Sequence, residues 1–244
     1  MYIKNYYYKS HQSTNKKNSK IKKTTIFYEN TFSENIIDSY DDVCIHNFAN
    51  DIDPGFTFPN NGKSQEDCLL RKFPELFHSL NTNKKSLYPI NSNEGHVICT
   101  DYVTKWRDKN NKLIDKSKRR KAMFVSAGAP DHKDYLFDET LILQHIRNII
   151  LAPLIFCIDN KIKRPKTLVL GSWGCGEFYP TDYYYTSKIK PDISDNFKCK
   201  YYFELIATLI HHVLIKEKLF RYYENIVICV PNIYIFESFK NIIS

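Results

Sequence analysis

Apolar positions along this 244-residue chain follow two periods. Short runs rich in β-branched and aromatic residues, at Thr24 to Tyr28, Val43 to Phe48, Ala122 to Ala127, Thr167 to Leu170 and Ile226 to Val230, predict strands. Between them the spacing turns helical. Leu141, His145 and Ile149 share one face of a helix predicted over Glu139 to Leu151, and Leu205, Leu209, Val213 and Ile215 do the same over Tyr202 to Leu219. Gln65 to Leu80 is also helical in period, but Pro74 lacks an N–H and divides it into two short helices. Alternating strands and helices predict an α/β sheet with both faces covered, and ligands bind such sheets at the carboxyl ends of their strands.

Glycine placement points to the same end of the sheet. Three of the chain's seven glycines fall in Gly171-Ser172-Trp173-Gly174-Cys175-Gly176, directly after the apolar run Leu168-Val169-Leu170. A loop of this kind turns sharply and brings backbone N–H groups up to an anion, usually a phosphate. A second loop follows Asn47-Phe48-Ala49. It runs through Pro54-Gly55 and Asn61-Gly62-Lys63-Ser64 into Gln65-Glu66-Asp67.

In order and spacing these two loops resemble the microbial type of poly(ADP-ribose) glycohydrolase, a macrodomain family. Its pattern runs N-F-A, P-G-G-G, Q-E-E and, much later, L-V-L-G-x-W-G-C-G-x-F. Val103 to Asp108 with Leu113, Ser126 to Asp131, and Asn232 with Phe236 are weaker matches to further segments of that family. The resemblance runs from about Thr24 to the C-terminus. It implies a macrodomain-like mixed sheet over residues 24–244, preceded by a basic extension at 1–23 that carries Lys16, Lys17, Lys20, Lys22 and Lys23.

The implied activity is hydrolysis of a ribose-to-ribose glycosidic bond, releasing ADP-ribose. That reaction needs an acid for the departing oxygen and then a base to activate water, and one carboxyl group can serve in turn. In the family the second glutamate of Q-E-E does this and the first holds ribose hydroxyls. Glu66 matches the first and Asp67 the second. Aspartate withdraws the carboxyl by ~1.5 Å, and a misplacement of about 1 Å costs on the order of a hundredfold in rate, so reduced activity is expected. The alternative is a non-catalytic ADP-ribose reader derived from the enzyme. Read from the residues alone, Gln65-Glu66-Asp67 also suits an ordinary helix start, where acidic residues complement the dipole.

The ligand contacts implied by the resemblance are Asn47, Gly55, Phe56, Gln65, Gly171, Trp173, Gly174, Cys175, Gly176 and Phe178. Gly174, Cys175 and Gly176 would meet the diphosphate and Phe178 the distal ribose. Gly55-Phe56-Thr57 replaces the family's triple glycine, so Phe56 either stacks on the ligand or fills its subsite. Glu177 stands where the family has a small or apolar residue and could supply an acid. Tyr179 to Phe197, with Pro180 and Pro191, reads as a surface loop or lid.

Composition adds limits. Seven scattered cysteines without a C-x-x-C pair argue against a disulfide framework and a zinc site and for a reducing compartment. The mechanism requires neither cofactor nor metal. Gly55 and Gly62-Lys63-Ser64 miss P-loop spacing, with six intervening residues rather than four. Cys175 lacks a histidine at a recognisable spacing and reads as structural. His211-His212 cannot place both rings on one helix face to hold a metal. Apolar runs such as Leu154 to Ile158 are short of a membrane span. An intracellular monomer, cytoplasmic or nuclear, is expected, with ADP-ribose, poly(ADP-ribose) or ADP-ribosylated protein as partner and no membrane. The net charge of +8 leaves nucleic acid open as a partner, and a basic module stacking bases on its tyrosines is a third reading.

Overall fold

The computed structural model describes residues 5–8, 23–55, 58–59, 62–130, 138–175 and 195–243, and the side chains of these except at 5–8 and 195–201. Seven strands form one mixed sheet: β1 (Asn5–Tyr8), β2 (Thr25–Glu29), β3 (Val43–Ala49), β4 (Val97–Thr104), β5 (Lys121–Gly128), β6 (Thr167–Gly171) and β7 (Asn225–Cys229), in the order β1-β4-β5-β3-β6-β7-β2. The five strands β5, β3, β6, β7 and β2 are parallel, so their carboxyl ends share one edge. β4 and β1 extend the other side antiparallel. The central strands are buried along their length, as parallel strands covered on both faces must be.

Among the described residues six helices cover the sheet: α1 (Gln65–Lys72), α2 (Pro74–Thr82), α3 (Lys84–Leu87), α4 (Glu139–Asn160), α5 (Asp195–His211) and α6 (Ile233–Ile243). On one face Ile142, Ile146, Ile149, Ile206, Leu209 and Phe239 pack against Cys44, Val125 and Leu168. On the other, Leu69, Leu70 and Leu76, with Ile36 and Ile37 of a 3-10 turn, pack against Val43, Ile45, Phe124 and Val169. The alternation of β3, with Cys44 towards one cluster and Val43 and Ile45 towards the other, divides the two cores. The expected α/β fold is therefore found.

Pro74 opens α2 at its first turn and separates it from α1, as its chemistry requires. α4 is longer than the sequence period indicated. Asp138 caps it by accepting from the N–H groups of Thr140 (2.9 Å) and Leu141 (3.2 Å), and the helix continues past Pro153 to a left-handed Lys161. By length and composition α4 could cross a membrane, whereas the apolar runs in the sequence looked too short. Here its apolar side chains lie against the sheet. α5 passes into a π-helical stretch at His212–Lys216. Two strands, β1 and β4, and two helices, α3 and α6, were not anticipated. β1 comes from within the segment read as a basic extension, where three consecutive tyrosines suit an edge strand.

Candidate functional site

The two glycine-bearing segments meet at the carboxyl edge, and the register shows how room is made for them. β3 pairs with β5 through to Ala49↔Gly128, but with β6 only as far as Ile45↔Val169. Beyond that point the β3 edge is taken by a side chain. Gln65 accepts the Phe48 N–H (2.9 Å) and donates to the His46 carbonyl (2.8 Å) and to Ser33 Oγ (2.9 Å). Its amide fills the place of a neighbouring strand and separates the ends of β3 and β6. Gln65, expected to touch the ligand, thus has both amide hydrogens committed inside the protein.

Ser64 starts α1 with a capping box: Asp67 N–H donates to Ser64 Oγ (3.1 Å), while Ser64 N–H (3.2 Å) and its hydroxyl (2.5 Å) both donate to Asp67 Oδ2. The Asp67 carboxylate therefore faces back along its own turn, only 1% exposed. Glu66, one position earlier, points into the sheet edge. Its Oε1 accepts from Asn47 Nδ2 (3.1 Å) and its Oε2 from Asn50 N–H (3.0 Å). Asn47 Nδ2 also donates to Ser126 Oγ on β5 (3.1 Å).

Burial pushes the Glu66 carboxyl up to about 7, against the pull of hydrogen bonds from Asn50, Asn47 and the Gly55 backbone, and the neighbouring Asp67 charge adds to the rise. Asn50 Oδ1 accepts from the N–H groups of Ile52 (2.9 Å) and Asp53 (3.0 Å), which turns the loop after β3 towards Gly55. Gly55 has a φ of 61°, and a Cβ there would lie 2.4 Å from Leu70 Cδ1, so the turn admits only glycine.

The late loop docks onto this one. A Cβ on Gly171 would lie 2.8 Å from Phe48 Cζ and 2.8 Å from the Cys229 carbonyl oxygen, so Phe48 rests on the bare glycine backbone. Trp173 is buried. Its Nε1 donates to the Ala127 carbonyl (3.2 Å), tying the loop to β5, and its ring lies 5.9 Å from that of His46 and 5.0 Å from that of His145. Burial lowers the two imidazoles to about 3 and about 4, so both are neutral near neutral pH. Trp173, expected among the ligand contacts, acts from below by anchoring the loop.

Gly174 has a φ of 75° and Cys175 is buried, its thiol pushed up by burial. That makes Cys175 a poor nucleophile and fits the structural reading. Phe56, Gly176, Glu177, Phe178 and all but the last three residues of Tyr179 to Phe197 lie outside the described residues, as does Asp131. One weaker segment, Val103 to Asp108, is placed away from this edge: Trp106 donates to Glu75 (3.2 Å) under the Arg119 guanidinium, and Lys105 donates to Asp38 (2.8 Å). Sequence reading missed Tyr88, a buried tyrosine whose phenol is kept protonated by burial and, after it, by the Glu66 charge.

Residues 2–104 match the family model described as microbial-type PARG, catalytic domain; PARG is poly(ADP-ribose) glycohydrolase. That match takes in β1 to β4 and the whole Asn47-to-Asp67 side of the site. Among solved structures, the poly(ADP-ribose) glycohydrolase of Thermomonospora curvata superposes with a TM-score of 0.64 at 19% identity, covering 93% of this chain and 79% of that one. The enzyme of Deinococcus radiodurans in complex with ADP-ribose gives 0.64 at 19% identity, covering 91% and 84%. Among curated proteins no relative matches by sequence. The family model ends before the late glycine loop.

Proposed function

We propose that this macrodomain of microbial poly(ADP-ribose) glycohydrolase type hydrolyses ADP-ribosyl glycosidic bonds, and that Glu66 is the carboxyl group that moves the proton. The observation that carries the reading is the state of Glu66: buried at the junction of β3, β5 and the loop after β3, and raised to about 7. A carboxyl group poised there is partly protonated at neutral pH. It can protonate the departing ribose oxygen and then, as the anion, activate water.

Asp67, which the resemblance puts in this role, is held by Ser64 at the helix cap. In this reading the aspartate fixes the first turn of α1 and thereby the direction of Glu66. In this reading Gly174, with its φ of 75°, turns the late loop so that its backbone N–H groups meet the diphosphate.

Incubation of the purified chain with poly(ADP-ribosyl)ated protein, measuring free ADP-ribose over time, tests the reading. Glu66→Gln is expected to lose at least a hundredfold in rate, and Asp67→Asn less than tenfold. The reverse ranking would return the role to Asp67. ADP-ribose binding without release by the native chain would make the protein a reader.

A further inference from the structure

Tyr88 is a group without an evident structural purpose. It follows α3, donates its N–H to the Lys84 carbonyl (2.9 Å), and is only 9% exposed, packed among the side chains of the α1 face. Its hydroxyl is buried and has no hydrogen-bond partner. Burying a polar group unpaired is destabilising, and phenylalanine would fill the same space without that cost.

The placement of Tyr88 is enforced from both sides. Before it, Lys84 pairs with Asp53; after it, Ile90 N–H donates to the Asp51 carbonyl (2.7 Å). Both tethers reach the loop Asn50 to Gly55, which supplies two of the N–H groups bonded to Glu66. The chain on either side of Tyr88 is thus tied to the loop that holds Glu66. The two side chains interact electrostatically, Glu66 and burial together keeping the phenol protonated, yet no hydrogen bond joins them.

Three donors already serve Glu66: Asn47 Nδ2, Asn50 N–H and Gly55 N–H. A carboxylate has about four acceptor sites, so one direction is left along which a proton can enter or leave. We propose that the Tyr88 hydroxyl binds a hydroxyl of the ribose that carries the scissile bond, and so sets that sugar against Glu66. Tyr88 is then a ribose-selective residue of the site. The inference rests on the ADP-ribose reading above.

Calorimetric titration of native protein and Tyr88→Phe with ADP-ribose and with ADP, which lacks the distal ribose, tests it. The variant is expected to bind ADP-ribose about tenfold more weakly, equivalent to about 1.4 kcal/mol, while ADP affinity changes less than twofold. Its melting temperature should equal or exceed that of the native protein, since the unpaired hydroxyl is gone. Equal ADP-ribose affinity in the two proteins overturns the proposal, and so does an equal loss for both ligands, which would mark general damage.

A second measurement acts on the ligand and leaves the protein intact. ADP-ribose analogues each lacking one distal-ribose hydroxyl should include one that binds native protein about tenfold more weakly and the variant no more weakly than ADP-ribose itself. If every deletion weakens both proteins alike, Tyr88 makes no ribose contact. A native chain that binds neither ligand overturns this proposal together with the parent reading. A native chain that binds ADP-ribose but releases none from polymer overturns hydrolysis alone and leaves the Tyr88 comparison decisive.

Discussion

Asn47 Nδ2 lies 3.1 Å from Glu66 Oε1, with both residues buried and with Ser126 Oγ as the second acceptor of the same amide. The bond joins the carboxyl end of β3 to the first turn of α1. It favours the anion of Glu66 and so opposes the burial that raises its pKa.

Removing that donor should shift the pH dependence of hydrolysis. In Asn47→Ala the Glu66 anion loses a hydrogen bond to a charged group, about 1.5–3 kcal/mol, so its pKa rises further above about 7. If protonated Glu66 is needed, the alkaline limb of the kcat/KM profile moves to higher pH by about one unit or more. An unmoved limb would mean that another group sets it.

The same carboxyl group leaves a mark on stability. Its folded pKa of about 7 lies above the ordinary 4.5, so its contribution is fully present below about 4.5 and is lost as pH rises through about 7. Chemical denaturation of native protein and Glu66→Gln at a series of pH values reads the difference. The margin of native over variant should shrink between pH 5 and 8, by at most about 3 kcal/mol. A margin that stays flat over that range would show that the carboxyl is ionised and well solvated in the folded protein.

Asp67 should matter to folding more than to chemistry. Asp67→Ala removes the acceptor of the Ser64 N–H and hydroxyl and is expected to cost about 1 kcal/mol, lowering the melting temperature by roughly 2–4 °C for a chain of this size. The native rate of ADP-ribose release should survive to within about tenfold. An unchanged melting temperature with abolished release would identify Asp67 as the reacting group.

Gly171→Ala places a methyl group 2.8 Å from the Cys229 carbonyl oxygen and 2.8 Å from Phe48 Cζ. The carbonyl belongs to β7 and cannot yield cheaply, so the loop itself must shift. The variant should be destabilised by about 1–3 kcal/mol and should bind ADP-ribose more weakly, as titration would show. Native-like values for both would mean that Phe48 does not rest on this loop in solution.

Much of the fold was legible because local chemistry wrote it. Each of the five parallel strands was anticipated to within a residue or so, since each is a short β-branched or aromatic run bounded by polar residues. Pro74 announced the break between α1 and α2. β4 is less legible because its run Val97 to Thr100 is followed by Asp101, and a register shift against β5 between Thr100 and Val103 breaks its period. β1 was missed because it is four residues long and takes its meaning from pairing with β4.

The sequence by itself determined which residue types stand at the carboxyl edge. Gly55 and Gly174 had to be glycines of tight turns, and Gln65-Glu66-Asp67 had to open a helix. Those are properties of backbone sterics and helix ends, acting over a few residues. Tertiary structure alone decided what each side chain does there: Gln65 parts two strands, Asp67 caps a helix, Glu66 is desolvated to a pKa of about 7, and Tyr88 brings an unpaired hydroxyl towards it. Burial and electrostatic reach depend on distance in space, and Tyr88 and Glu66 come together only when the sheet and its loops are assembled.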